Sequence, residues 1–209
     1  MRRAVAVPAV ALAIGVAGAG IALAFATASA GDGGGGTSPS RSPSTAPVAE
    51  TDFCYVEAMI YYRVEETELA ASLDEKDGVA DAVEDLAAQI AEEDADELVD
   101  LRSWYVSWSA AKPIEEAREG PCAGHGADHA QMPGMPSWAQ RLALSEAQGD
   151  DAERAFVDLV LAQNAGMTAL ISEVLATDAH PRVRASAERV LARSERDIAA
   201  LEDARAVSE

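Results

Sequence analysis

The stretch PCAGHGADHAQMPGM, residues 121–135, gathers most of the metal-capable side chains of this sequence. It carries His125, His129, Met132 and Met135, with Cys122 close by. Imidazole plus thioether is a ligand set suited to Cu(I), and two of each could complete a site. The four-residue spacing of the histidines would put both on one helical face, whereas Gly124 and Gly126 favour a loop. No motif of fixed spacing is satisfied. The same residues also read as a surface loop whose methionines pack on the body of the protein.

A second group of polar residues stands where apolar ones are expected. Glu66, Asp94, Glu97, Gln163, Ser194 and Asp197 interrupt apolar stripes, and such positions are polar only when something there requires it. One reading is a carboxylate-rich core site, as in helical bundles where inward Glu and His hold metals. The other is a hydrogen-bonded polar layer with Arg63, Arg102 or Arg193 as charge partners. No His falls in these stripes, and carboxylates alone are poor ligands for soft metals.

The elements that must position these groups are helical. Tyr55, Met59, Tyr62, Leu69 and Leu73 recur at 3–4 spacing, and Asp77-Gly78 is a turn signal. Val83, Leu86, Ile90, Leu101, Trp104 and Trp108 make the second stripe. Pro113, Gly120, Pro121, Pro133 and Pro136 mark a long link, and Ser137 is a good N-cap for a short helix through about Gln148. Phe156, Val160, Met167, Leu170 and Val174 form the third stripe. His180-Pro181 starts the fourth helix, with Val183, Ala187, Val190, Leu201 and Ala204 in line. No segment alternates in the manner of a strand. The pattern predicts an all-α, up-and-down four-helix bundle with one long crossover: a hairpin at 51–110, a link at 111–149 and a hairpin at 150–207. FCYVEAMIYYRVEETELA at 53–70 echoes FVDLVLAQNAGMTALISE at 156–173, so the hairpins read as an internal duplication.

The 209 residues hold 16 Lys+Arg against 36 Asp+Glu, a net charge of -20. A surface this acidic repels a phosphate backbone, which excludes nucleic acid as a partner. Arg2 and Arg3 precede an uncharged apolar run over residues 4–30, long enough to cross a bilayer as a helix. The run ends in Ala28-Ser29-Ala30, which a signal peptidase could cut. A single-pass anchor and a cleaved signal peptide would both export the rest of the chain. The anchored chain would sit in the cell membrane with its C-terminal domain extracytoplasmic; cleavage after Ala30 would secrete it. Residues 31–50 are Gly, Ser, Thr and Pro without apolar periodicity and form a flexible linker. Export makes a Cys54–Cys122 disulfide the expected state of the two cysteines. No nucleophile elbow, phosphate loop, zincin helix or CxxC pair is present, so no enzymatic activity is expected.

These features together resemble the domain of unknown function 305 family over about residues 52–204. Phe53, Met59, Ile60, Glu68 and Ala70 match its first-helix pattern. Glu97, Leu98 and Trp104 match the second, and Met132-Pro133-Gly134-Met135 matches the link. Phe156, Leu161 and Gly166 match the repeat of the first element. The resemblance implies an exported, ferritin-like bundle of duplicated hairpins, associated with copper or other metals through His pairs and Met residues. Here those His pairs fall on Tyr62-Arg63 and Gln163-Asn164, the family's Gln positions on Asp94 and Ser194, and its Met positions on Leu101 and Leu201.

Two functions are consistent with the sequence. In the first, a membrane-tethered bundle binds a transition metal, copper foremost, non-catalytically through His125, His129, Met132 and Met135. In the second, the bundle is a metal-free interaction or structural module of the cell envelope, with Tyr61, Tyr62, Trp104, Tyr105 and Trp108 as candidate anchors. The membrane is met only through the N-terminal helix. The disulfide gives a direct check: intact mass before and after alkylation of the exported chain should be unchanged, and two alkylated thiols would return Cys122 to the list of candidate ligands.

Overall fold

The computed structural model describes residues 46–111 and 129–207. The expected N-terminal helix, most of the linker, Cys122 and His125 lie outside the described residues. Among the described residues all regular structure is helical: α1 (Glu50–Asp74), α2 (Asp81–Ser107), α3 (Trp138–Glu146), α4 (Gly149–Leu175) and α5 (Pro181–Val207), with single 3₁₀ turns at Ser109–Ala111 and His129–Gln131. The short helix expected after Ser137 is α3, whose cap is a capping box. Ser137 Oγ accepts from the Gln140 amide at 3.3 Å, and Gln140 Oε1 accepts from the Ser137 amide at 2.9 Å.

The four long helices pack as two antiparallel hairpins, α1 with α2 and α4 with α5, joined through α1 and α4. At one end Phe53 of α1 meets Tyr105 of α2, with ring centroids 5.0 Å apart. The two helices then run back to the turn at Asp77-Gly78. There the Gly149 amide donates to Asp77 O at 3.0 Å, so the crossover returns the chain to the end where the first hairpin turned. Gly78 (φ 78°) and Gly149 (φ 51°) sit in the left-handed region at this junction, a conformation that glycine adopts without a Cβ penalty.

α1 is the central helix. Its residues 52–59 are all buried, and along its length it is contacted by α2, α3, α4 and α5. α4 is long and apolar enough to span a bilayer. Within the fold its Phe156, Val160, Met167, Ile171 and Val174 are fully buried.

Helix starts are stabilised across the hairpins. The α1 carboxylate of Asp52, itself buried, accepts from the Ala49 amide at 2.8 Å and from the His180 amide at 2.7 Å. It therefore caps its own helix and the start of α5 together. In the other half Glu153 of α4 accepts from the Ala80 amide at 2.5 Å, at the start of α2. A carboxylate at a helix N-terminus meets orphan amides and the positive end of the helix dipole. The two hairpins exchange this contact reciprocally.

The Met-Pro-Gly-Met segment is clamped onto α4. A Cβ on Gly166 would lie 1.8 Å from Pro133 O, and one on Gly134 (φ 82°) would lie 2.1 Å from Ala162 O. Tyr62 of α1 completes the clamp by donating its hydroxyl to Pro133 O at 2.8 Å. A Gly166→Ala variant must push the link off the bundle. Its expected cost is about 1–3 kcal/mol, the range for overpacking a close contact. Thermal unfolding should show that loss beside an unaffected control such as Ala169→Ser on the exposed face.

Candidate functional site

The polar stripe residues converge on one side chain. Arg63, on α1, is 1% exposed. Its Nη1 lies 2.5 Å from Glu66 Oε2 and 3.2 Å from Asp94 Oδ1, and its Nε lies 2.8 Å from Glu97 Oε2. Glu66 is one turn along α1, where i and i+3 side chains meet. Asp94 and Glu97 arrive together from one face of α2. From α4, Asn164 Nδ2 donates to Val160 O at 3.0 Å and reaches Glu66 Oε1 at 3.4 Å.

A second guanidinium closes the cluster from α5. Arg193 Nη2 lies 2.6 Å from Asp94 Oδ1 and 3.7 Å from Glu97 Oε2, and its Nε lies 3.7 Å from Asp197 Oδ2 and 3.6 Å from Glu93 Oε2. Tyr55 Oη donates to Ser186 Oγ at 3.1 Å, and Ser186 Oγ donates to Glu97 Oε1 at 3.2 Å. The result is a charged layer through the middle of the bundle that touches all four long helices. Gln163 stands apart from it: buried, with Nε2 directed 3.7 Å from Met135 Sδ. Arg102 is exposed on α2 and lies outside the layer.

Burial is the main influence on the titration of this layer, and neighbouring charges come second. Burial, and then the Glu66 charge, hold the Asp94 carboxyl well above the usual carboxylate range, although Arg63 and Arg193 act in the opposite direction. Burial likewise raises Asp197. For Arg63 burial works against the charged form, but Glu66, Asp94 and Glu97 outweigh it and hold the proton more firmly than usual. Burial, and then Glu66, push Tyr62 up to about 12. Burial, and then Glu97, raise Tyr55. This arrangement can hold protons and fix helix register. It presents no activated nucleophile.

A groove of about 540 Å³ between α2 and α5 is lined by Glu97, Leu101, Trp104, Ser186, Arg189 and Arg193 among others, and gives the layer an approach to solvent.

The link residues are placed differently from one another. Met132 is 7% exposed and belongs to the apolar core around Tyr62 and Met167. Met135 packs against that core and receives Gln163. The imidazole of His129 stacks on Tyr61, with ring centroids 3.7 Å apart. Among the described residues no group of three or more His, Cys, Asp or Glu side chains could hold a metal ion. Cys54 is buried and is not a free thiol.

Of the aromatic anchors expected from sequence, Tyr62 is buried, Trp104, Tyr105 and Trp108 are half-buried, and Tyr61 is 43% exposed. Sequence reasoning missed Trp138, which is 78% exposed, with Leu142 one turn on at 40%. The signal for it was its place directly after an N-cap, on a helix that buries a single residue, Leu144.

A family model described as domain of unknown function DUF305 matches residues 48–205. A DUF305 fragment from Deinococcus radiodurans superposes with a TM-score of 0.64 at 24% identity, covering 77% of this chain and 99% of that one. A DUF305 protein from Streptomyces coelicolor, described as a candidate secreted protein, gives a TM-score of 0.65 at 18% identity, covering 76% and 92%. No curated protein matches the chain.

The charged layer sets a pH dependence of stability. Because the folded-state pKa of Asp94 is raised above its ordinary value of 3.8, the folded chain holds a proton that the unfolded chain releases. The stability this contributes is complete at low pH and is lost as pH rises toward the raised pKa, with a slope of at most ~1.4 kcal/mol per pH unit. Asp94→Asn should flatten that slope in urea melts between pH 3.8 and about pH 8, the ordinary and the raised pKa of this carboxyl. Arg63→Met should cost about 3–5 kcal/mol, because it strands buried carboxylates.

Proposed function

Because the chain belongs to the DUF305 family, we propose that it is an extracytoplasmic, non-catalytic helical module of the cell envelope that works through its surface and needs no metal in its core. The observation that carries this reading is the Arg63 guanidinium among Glu66, Asp94 and Glu97. The interior acids, which in a metal-holding bundle would face a cation, here face a permanent one supplied by the chain. A guanidinium keeps its charge across the accessible pH range, so Arg63 faces the three carboxylates through Nη1 and Nε as a cation that cannot exchange or be lost.

Export is supported by the arginine pair and apolar run over residues 2–30, and by the candidate secreted protein among similar structures. In this reading residues 1–30 anchor the chain or are cleaved, residues 31–50 act as a tether, and a Cys54–Cys122 disulfide fastens the link to α1. The surface available for contact includes Tyr61, Trp138 and Leu142, which frame a face of α1 and α3. Large aromatic and aliphatic side chains of this kind supply the anchors of protein interfaces.

Copper binding through His125, His129, Met132 and Met135 is the competing reading, and it makes different demands. Met132 is already committed to the core and Met135 to Gln163, so both thioethers have packing roles that no ligand needs to explain. Titration of Cu(I), Cu(II) and Zn(II) into the exported chain and into a His125→Ala/His129→Ala variant separates the two. The proposal expects no bound metal on purification and the same weak uptake in both proteins. Sub-micromolar copper binding that the double variant loses would overturn it in favour of a copper-handling protein.

A further inference from the structure

α2 carries a second row of residues that the bundle leaves unused. Ala88, Glu92, Ala95, Val99, Arg102 and Val106 succeed one another at 3–4 spacing, and all six are exposed. Val99 is 69% and Val106 74% exposed, the largest values for aliphatic side chains among the exposed large hydrophobics. The row is separate from the buried face of the same helix, which is made by Val83, Ala87, Ile90, Asp94, Leu98 and Leu101. It is also separate from the acid-lined groove that faces α5.

The composition of the row is symmetric about its midpoint. Read inward from its two ends, Ala88 answers Val106, Glu92 answers Arg102, and Ala95 answers Val99. Two helices that pack through 3–4 spaced rows in antiparallel fashion bring residues together in this order, first against last. We propose that a second copy of this chain docks here, α2 against α2 in antiparallel orientation, about a two-fold axis level with Glu97. Each apolar layer then sets an alanine against a valine, which fills the space between the helices without overcrowding it. Each polar layer sets Glu92 of one chain against Arg102 of the other. An isologous contact of this kind closes on itself and stops at two chains.

The charges favour this partner and this orientation. α2 carries a single base, Arg102, among nine acids, and that base is an exposed residue in the position that meets Glu92 across the axis. A parallel pairing would instead set Glu92 against Glu92 and Arg102 against Arg102. The cost on the other side is the net charge of -20 on each chain. Moderate salt should therefore strengthen the association by screening the long-range repulsion.

Dimerisation through α2 does not depend on the absence of metal and is tested separately. The full chain, purified in mild detergent, is taken through sedimentation equilibrium over a concentration series. A monomer–dimer equilibrium is expected, and a monomer at every concentration overturns the proposal. Glu92→Arg and Arg102→Glu each create like-charge layers and should each weaken dimerisation by at least about tenfold, since like charges set opposite each other across an interface repel. Combining them restores opposite charges and should recover the wild-type dissociation constant. Single variants without effect, or a double variant that fails to recover, refute this register. Val99→Glu, at an exposed position, should give a monomer with unchanged helicity. Loss of the dimer in Trp138→Ala with no effect of Val99→Glu would move the interface to α3 and refute the proposal as well.

Discussion

The fold is organised around a buried positive charge. Arg63 is fully enclosed at the centre of the bundle, and a lone guanidinium there would cost several kcal/mol in lost hydration. That cost is met only if acids arrive from more than one direction, and they do so along α1 and α2, with Arg193 of α5 binding the same acids from the far side. Each acid in the layer is in turn acceptable inside the protein because of the two guanidinium groups or a retained proton. The layer fixes the axial register of α1, α2 and α5, because sliding one helix by a turn would separate the pairs and leave charges unpaired in a low-dielectric interior. Apolar packing alone specifies register less tightly, since one leucine layer resembles the next.

Around that layer, the two hairpins are fastened at their ends by contacts of a different kind. Asp52 spans from the start of α1 to the start of α5, and Glu153 spans from α4 to the start of α2. Each is an acid near the beginning of the first helix of its hairpin and caps the second helix of the other hairpin. Each hairpin therefore fastens the other through the same kind of contact, across the crossover that joins them. The clamp of Gly134 and Gly166 then holds the crossover against α4. Polar contacts therefore set position at the middle and at the ends, and apolar burial between them supplies the bulk of the stabilisation.

How much of this could be read from the sequence depends on the range of the interaction. Helix existence, the Asp77-Gly78 turn, the Ser137 cap and the Pro181 start are local, and each left a local mark: 3–4 spacing, a turn dipeptide, an N-cap serine, a proline at a first turn. The acids of the charged layer were legible as breaks in apolar stripes, and Arg63 and Arg193 as candidate partners. Their convergence was not legible, because which of several arginines turns inward depends on the rotation of each helix about its axis, and that is set by tertiary packing. Arg102 has the same chemistry as Arg63 and lies on the outside. The reciprocal caps were hidden for a related reason. Asp52 and Glu153 are acids near the starts of α1 and α4, and nothing local marks their partners on the opposite hairpin. The link was the least legible, since its methionines carry both a ligand's chemistry and a core residue's, and only burial distinguishes the two for Met132.

A bundle whose interior charge is balanced from within leaves its exterior free to vary. Removing a metal ion from a carboxylate-lined core leaves repelling acids that must be protonated, paired or replaced. Arg63 and Arg193 provide the pairing here, and burial, then the Glu66 charge, hold the Asp94 carboxyl above its usual range. The surface of the bundle bears the remaining acids, a few exposed aromatic and aliphatic side chains, and the symmetric row on α2. Substitutions in the interior are costly by comparison, because Arg63 and Arg193 must each keep an acid beside them.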